Sequence, residues 1–225
     1  MTSKKLLIIT QTFVPDPPAV GQYLADVAIE MARRGHAVRV LTSARGYEDP
    51  SIRYPPREVI RGVDIRRLPL GSFGKNSLFA RGAGTALFMV QAFWKALWTP
   101  GLGGILFSTS PPMIGFVGAL VGWIRRVPVA YWAMDLNPDQ LITMRILRAG
   151  SWLAWFLERA NRLILRRSSL VVALDRFMAD RLRQRSALDG KLLVLPLWPH
   201  EQHLGTVPHA VNPFRIAQGW QDKFV

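Results

Sequence analysis

The sequence contains no cysteine among its 225 residues. That excludes a disulfide-stapled scaffold and any thiolate metal site. Missing thiols also fit a reducing compartment. Acidic residues are scarce: 15 Asp and Glu stand against 29 Lys and Arg, a formal charge of +14. Such a surplus points to a negative partner or surface, whether phosphate, anionic lipid or nucleic acid. The apolar run over residues 6–9 is too short for the core of a signal peptide, and no small-residue cleavage site follows, so secretion is not expected. Residues 96–124 carry no charge and are long enough to span a bilayer, but Pro100, Gly101, Gly103, Gly104 and the 108–112 stretch punctuate them. The helix expected from Pro111 has about 14 residues and reaches about 21 Å, short of a hydrocarbon core of about 30 Å. A membrane span is therefore not expected.

What is present is a hydrophobic content of 49%, enough for one α/β domain with or without a tail and too much for a disordered chain. The pattern alternates. Residues 6–10 form a continuous apolar strand, and a turn-rich loop at 15–18 follows. Residues 20–34 place Val20, Leu24, Val27, Ala28 and Met31 on one helical face. Arg33, Arg34 and Gly35 are stop signals for that helix. Residues 36–42 are the second strand, completing a β-α-β unit that favours a parallel sheet. The 43–61 stretch reads as a long loop. Further strands are expected over 63–70, 105–108, 127–134, 170–174 and 192–195. Helices are expected over 77–98, 111–125, 139–147, 151–167 and from Asp175 to 185. About seven strands, mostly apolar on both faces, require helical cover on both sides. The predicted fold is a Rossmann-like α/β domain with a mostly parallel sheet over residues 1–199. Residues 200–225 read as a linker or tail.

In such a sheet, ligands bind beyond the carboxyl ends of the strands. Three loops qualify. The first, 11–21, lacks the G-x-G-x-x-G pattern, so a nicotinamide dinucleotide loses its support. Gly21 there either lets backbone approach a phosphate at the helix start or belongs to a plain turn. In the second loop, Ser108, Thr109 and Ser110 put three hydroxyls where a helix should begin. Ser110 reads as an ordinary N-cap with Pro111 at the first helical position, leaving Ser108 and Thr109 for an anion or sugar. The third loop places Asp135 directly after an apolar strand. There a carboxylate can serve as a base, hold a sugar hydroxyl, or bond its own turn. Asn137 is suited to cap the next helix, with Pro138 behind it, and Asp139 favours the helix N-terminus.

Arg159, Arg162, Arg166 and Arg167 recur at spacings of three and four and so share a helical stripe, with Trp152, Trp155 and Phe156 at its start. Two readings stand. The stripe is a solvated face, or a basic amphipathic helix lying on anionic lipid with its aromatic rings at headgroup level. Nucleic acid competes for the same charge, but no zinc finger, RNA-binding sheet signature or recognition helix is evident. His200, His203 and His209 do not have metalloprotease spacing, and no metal site is assigned.

Taken together, these segments resemble the N-terminal lobe of a GT-B-fold glycosyltransferase of family-4 type. The resemblance covers nearly the whole chain. Its carriers are residues 6–15 (LLIITQTFVP), 31–42 (MARRGHAVRVLT), 108–112 (STSPP), 132–139 (WAMDLNPD), 157–159 (LER) and 166–168 (RRS). It implies an acceptor-binding lobe of a retaining enzyme in bacterial polysaccharide or glycolipid synthesis. A second lobe would hold the nucleotide-sugar donor. It implies no nicotinamide and usually no metal. Many members carry a histidine after the fifth strand; Met134 occupies that place, which moves the catalytic assignment to Asp135. The paired glutamates of the donor lobe have no counterpart after Pro199. The chain is accordingly expected to be a fragment, a truncated gene product or half of a split enzyme, inactive alone. The expected partners are a sugar or lipid-linked acceptor, an anionic membrane surface at the cytoplasmic inner face and a separate donor lobe. The alternatives are a non-catalytic anion- or lipid-binding domain and a basic nucleic-acid-binding protein.

Overall fold

A computed structural model describes residues 4–70, 78–136, 139–145, 147–199, 207–220 and 223. Its strands are β1 (Lys5–Ile9), β2 (Ala37–Ser43), β3 (Arg57–Ile60), β4 (Val63–Leu68), β5 (Leu102–Phe107), β6 (Val129–Trp132), β7 (Leu170–Ala173) and β8 (Leu192–Val194). Its helices are α1 (Ala19–Arg33), α2 (Leu78–Leu97), α3 (Ile114–Arg125), α4 (Asp139–Thr143), α5 (Trp152–Arg167), α6 (Arg176–Arg183) and α7 (Pro213–Ala217). The strands form one sheet in the order β3-β4-β2-β1-β5-β6-β7-β8. Every neighbouring pair is parallel except β3–β4. The Rossmann-like α/β architecture expected from the sequence is the one found, with eight strands instead of about seven. The chain winds outward from β1 through β2 to β4, then returns to lay β5 against the other side of β1. That reversal opens a crevice at the carboxyl ends of β1 and β5.

The apolar strands bury both faces. On one side Ile8, Val40 and Ile65 pack with Leu24 and Ala28 of α1. On the other, Leu7, Ile9, Phe107 and Val171 pack with Phe88 of α2, Val117 of α3, Ile164 of α5 and Leu182 of α6. Local chemistry ends the helices much as read. Gly35 takes φ +86°, open to glycine without a Cβ clash, just past α1. The Ser151 side chain accepts from Ala154 N–H, and the Asp175 side chain from Met178 N–H.

Two expectations fail. Part of the 43–61 loop is a strand: β3 pairs antiparallel with β4 at the sheet edge. Four residues with two charges carry too little periodicity to announce it, and short charged strands are how edges are protected. The helix read from Pro111 instead starts at Ile114, and its N-cap is Met113 at φ 68°, so Ser110 does not cap it. The cause is tertiary. The Ser110 carbonyl accepts the Gln11 N–H at 2.9 Å, holding residues 108–113 as a loop against the one after β1. At 12 residues, α3 is about 18 Å long. No helix among the described residues is long and apolar enough to cross a membrane.

The seat of α3 depends on glycine. A Cβ on Gly118 would fall 2.3 Å from the Phe107 ring, one on Gly115 2.6 Å from the same ring, and one on Gly122 2.2 Å from Val129. Phe107 is fully buried, so it has little room to yield. Gly118→Ala is expected to destabilise the fold by about 1–3 kcal/mol through overpacking, read from urea denaturation midpoints. An unchanged midpoint would show that α3 can lift without cost.

Candidate functional site

The loops after β1, β5, β6 and β7 meet at the carboxyl edge of the sheet. Parallel pairing places them there, because every strand except β3 points the same way. Thr109, just past β5, donates its hydroxyl to Asp135 Oδ2 at 2.9 Å. This bond joins two residues that the sequence separates by 26 positions. Asp135 is half-buried and Thr109 buried. The carboxylate therefore has one oxygen fixed while part of the residue stays open. Tyr131 lies beneath it, buried and stacked on Phe107 at 5.3 Å. Burial, and then the Asp135 charge, push the Tyr131 phenol above its ordinary value against the opposing pull of Arg185. The phenol therefore stays protonated at neutral pH.

Asp139, in the first turn of α4, does more than favour a helix end. It pairs with Arg185 and lies 3.7 Å from Arg181. Arg185 lies past the end of α6, where nothing in the sequence singles it out. These pairs tie the loop after β6 to α6. Ser108 is 1% exposed and its hydroxyl oxygen accepts from Ser110 N–H, so it shapes the loop wall. Gly21 is buried, and its N–H is donated to Pro18 at 2.9 Å. A Cβ there would lie 3.0 Å from the Thr12 and Phe13 backbone, so the glycine brings α1 close to its own loop. Asn137, His200 and His203 lie outside the described residues. Among the described residues no cluster of His, Asp and Glu could hold a metal ion. Trp152, Trp155, Arg159, Arg162 and Arg166 are all exposed on α5, away from this crevice on the helical face.

Other side chains at this end were not singled out by the sequence. Thr12 Oγ1, after β1, and Trp132 Nε1, ending β6, are buried and have no hydrogen-bond partner among the described residues. Trp198 returns from the far edge to lie 5.8 Å from Trp132 and 5.2 Å from Tyr23, and its Nε1 donates to Asp26. Asp16 is buried in the loop after β1 and accepts from Tyr47 N–H and Tyr54 Oη. In the sequence it is one turn residue among prolines; only the returning 44–54 segment buries it.

The model of the glycosyl transferase 4-like domain matches residues 19–198, and the chain belongs to that family. Among solved structures, the chain is similar to sucrose-phosphate synthase from Thermosynechococcus elongatus. Identity is 16%, the match covers 96% of this chain and 52% of that one, and the TM-score is 0.64. It is also similar to Anabaena Alr3699/HepE in complex with UDP and glucose, at 17% identity, over 98% and 52% of the two chains, with a TM-score of 0.58. At such identities the likeness shows the shared fold. The chain spans about half the length of both. No curated protein sequence matches it.

Burial pushes the Asp16 carboxyl above the ordinary 3.8, although the Tyr47 and Tyr54 hydrogen bonds favour its ionised form. A raised folded-state value means that the folded protein holds this proton more tightly than the unfolded chain. Stability from this group is thus full at low pH and falls as pH rises through the window. Asp16→Asn does not titrate. Between about pH 3.8 and neutrality, wild type is expected to lose stability relative to the variant. Urea midpoints of both proteins across that range check this; a constant difference would contradict it.

Proposed function

We propose that this chain is the acceptor-binding lobe of a retaining, nucleotide-sugar-dependent glycosyltransferase of bacterial polysaccharide or glycolipid synthesis. A second lobe, facing the carboxyl edge of the sheet, holds the donor. The family match supports glycosyl transfer. The observation that carries the site is the Thr109–Asp135 hydrogen bond at the crevice. It fixes one carboxylate oxygen and leaves the other to accept an acceptor hydroxyl, which orients that hydroxyl for attack on the sugar carbon. The 108–110 loop forms the wall beside it, and Gly21 lets α1 close it from the β1 side; Asn137 is proposed as an acceptor contact from its place in the sequence alone. The Thr12 hydroxyl and Trp132 N–H, without a partner among the described residues, are polar groups that a bound hydroxylated ligand or water would satisfy. Neither a nicotinamide nor a metal enters this scheme.

The chain alone is expected to give no transfer from UDP-glucose or a panel of other nucleotide sugars. Joined to a donor lobe it is expected to turn over, and Asp135→Asn should then lower the rate roughly 10- to 100-fold. Turnover by the chain alone would remove the two-lobe reading; an unaffected Asp135→Asn enzyme would remove Asp135.

We also infer that the lobe docks on anionic membrane from the cytoplasmic side. Helix α2 packs on α3, and α3 on α5, so their outer faces adjoin. Trp123, Trp152 and Trp155 stand there between 60% and 78% exposed. Tryptophan is normally well buried in a soluble domain, so three such rings on α3 and α5 need a partner. Arg159 lies over Trp155 at 5.6 Å and Arg167 over Trp123 at 5.7 Å. Cations beside aromatic rings suit an anionic headgroup layer. Flotation is expected with phosphatidylglycerol vesicles at low salt, weaker with phosphatidylcholine, and reduced for Trp152→Ser/Trp155→Ser. No flotation at low salt would sink the inference.

A further inference from the structure

A cavity of about 740 Å³ lies on the α2 side of the sheet, over β2, β4 and β3. It shares no lining residue with the Asp135 crevice. Arg39, Arg57, Arg66 and Lys95 line it, with Trp94 and Trp98 forming a wall from α2. The charges do not balance. Arg39 and Arg66 share the single carboxylate of Asp64, each at 2.7 Å. Those hydrogen bonds overcome burial and hold Asp64 below its ordinary value. Arg57 and Lys95 are exposed and pair with no carboxylate among the described residues.

The strand register sharpens the point. Arg57 of β3 sits directly opposite Arg66 of β4. In an antiparallel pair, directly opposed side chains stand on the same face, with Cβ atoms about 4.5–5.5 Å apart, and like charges there are destabilising. Asp64 offsets part of the charge on Arg66 but is shared with Arg39, so the Arg57–Arg66 pair lacks full compensation among the described residues, and local rules broken in this way fall at functional or strained sites. An anion seated between the two guanidinium groups supplies that compensation, and arginine forks match phosphate oxygens.

We propose that this cleft binds a phosphate-bearing ligand, with the phosphate among Arg57, Arg66 and Lys95 and the apolar remainder against Trp94 and Trp98. The phosphate can belong to a lipid headgroup or to a soluble phosphate. The inference does not rest on the acceptor-lobe reading and can fail or hold independently of it.

Thermal unfolding of the full chain tests it, with sodium chloride at matched ionic strength as the reference. Inorganic phosphate and monomeric dihexanoylphosphatidylglycerol are the two probes. At least one is expected to raise Tm by several degrees, as ligands that favour the folded state do. A rise with phosphate identifies the soluble source, and a rise with the lipid alone identifies the headgroup. Arg57→Gln and Lys95→Gln are each expected to weaken the effect at least roughly fivefold, since each removes one charge-assisted contact. Arg148→Gln, the same charge change elsewhere on the surface, should leave it intact. In chloride alone, Arg57→Gln is expected to melt at or above wild type, because it relieves the cross-strand repulsion. No rise with either probe overturns the proposal. So does an undiminished rise in both variants, or a lower Tm of Arg57→Gln in chloride.

Discussion

The close approach of α3 to the sheet is the constraint on which the rest depends. Gly115, Gly118 and Gly122 present no side chain to Phe107 and Val129, so the helix backbone rests directly on β5 and β6. Because α3 sits that low, the segment feeding it must turn sharply at the end of β5. That turn carries Thr109 to within hydrogen-bond distance of Asp135. The same low seat lets α5 and α2 pack along its flanks, which sets the aromatic faces of the three helices beside one another. The crevice and the exposed face are therefore coupled consequences of one packing choice.

Charge is distributed with a similar economy of acids. At three places one carboxylate is shared between two cations: Glu30 between Arg33 and Arg34, Asp64 between Arg39 and Arg66, Asp139 between Arg181 and Arg185. The exposed pairs among these contribute little to stability. Arg67, Arg162 and Arg183 each pair with one acid, whereas Arg57 and Lys95 stand exposed with no carboxylate partner among the described residues. A cation without an acid beside it adds net positive charge to the surface and does not hold the fold. Aromatic rings stand beside this charge on α2 and α5, with Trp94 and Trp98 next to Lys95 and Trp155 under Arg159.

The order of strands and helices was legible because apolar runs and helical stripes repeat with different periods. Residues 6–10, the α1 stripe and the Asp175 cap needed only local chemistry, and each appears close to where it was read. The β3 strand was illegible because its pairing partner, rather than its own pattern, makes it a strand. The start of α3 was misread for a related reason: Ser-Pro-Pro is a sound helix opening locally, yet the hydrogen bond from Gln11 to Ser110 holds it as a loop. At the site, Asp135 and Thr109 were legible from their position after apolar strands. Arg185 and Asp16 were not, since their surroundings come from chain segments far away in sequence.

The sequence by itself determined the α/β alternation, the cationic balance and the position of Asp135 behind a buried strand, because these follow from residue type and spacing. Only the tertiary structure decided that Asp135 is held by Thr109, that Asp16 is buried, and that Arg57 faces Arg66 across an edge. Each of those facts depends on strand register and helix seating. Both are set by packing between segments that no local pattern brings together.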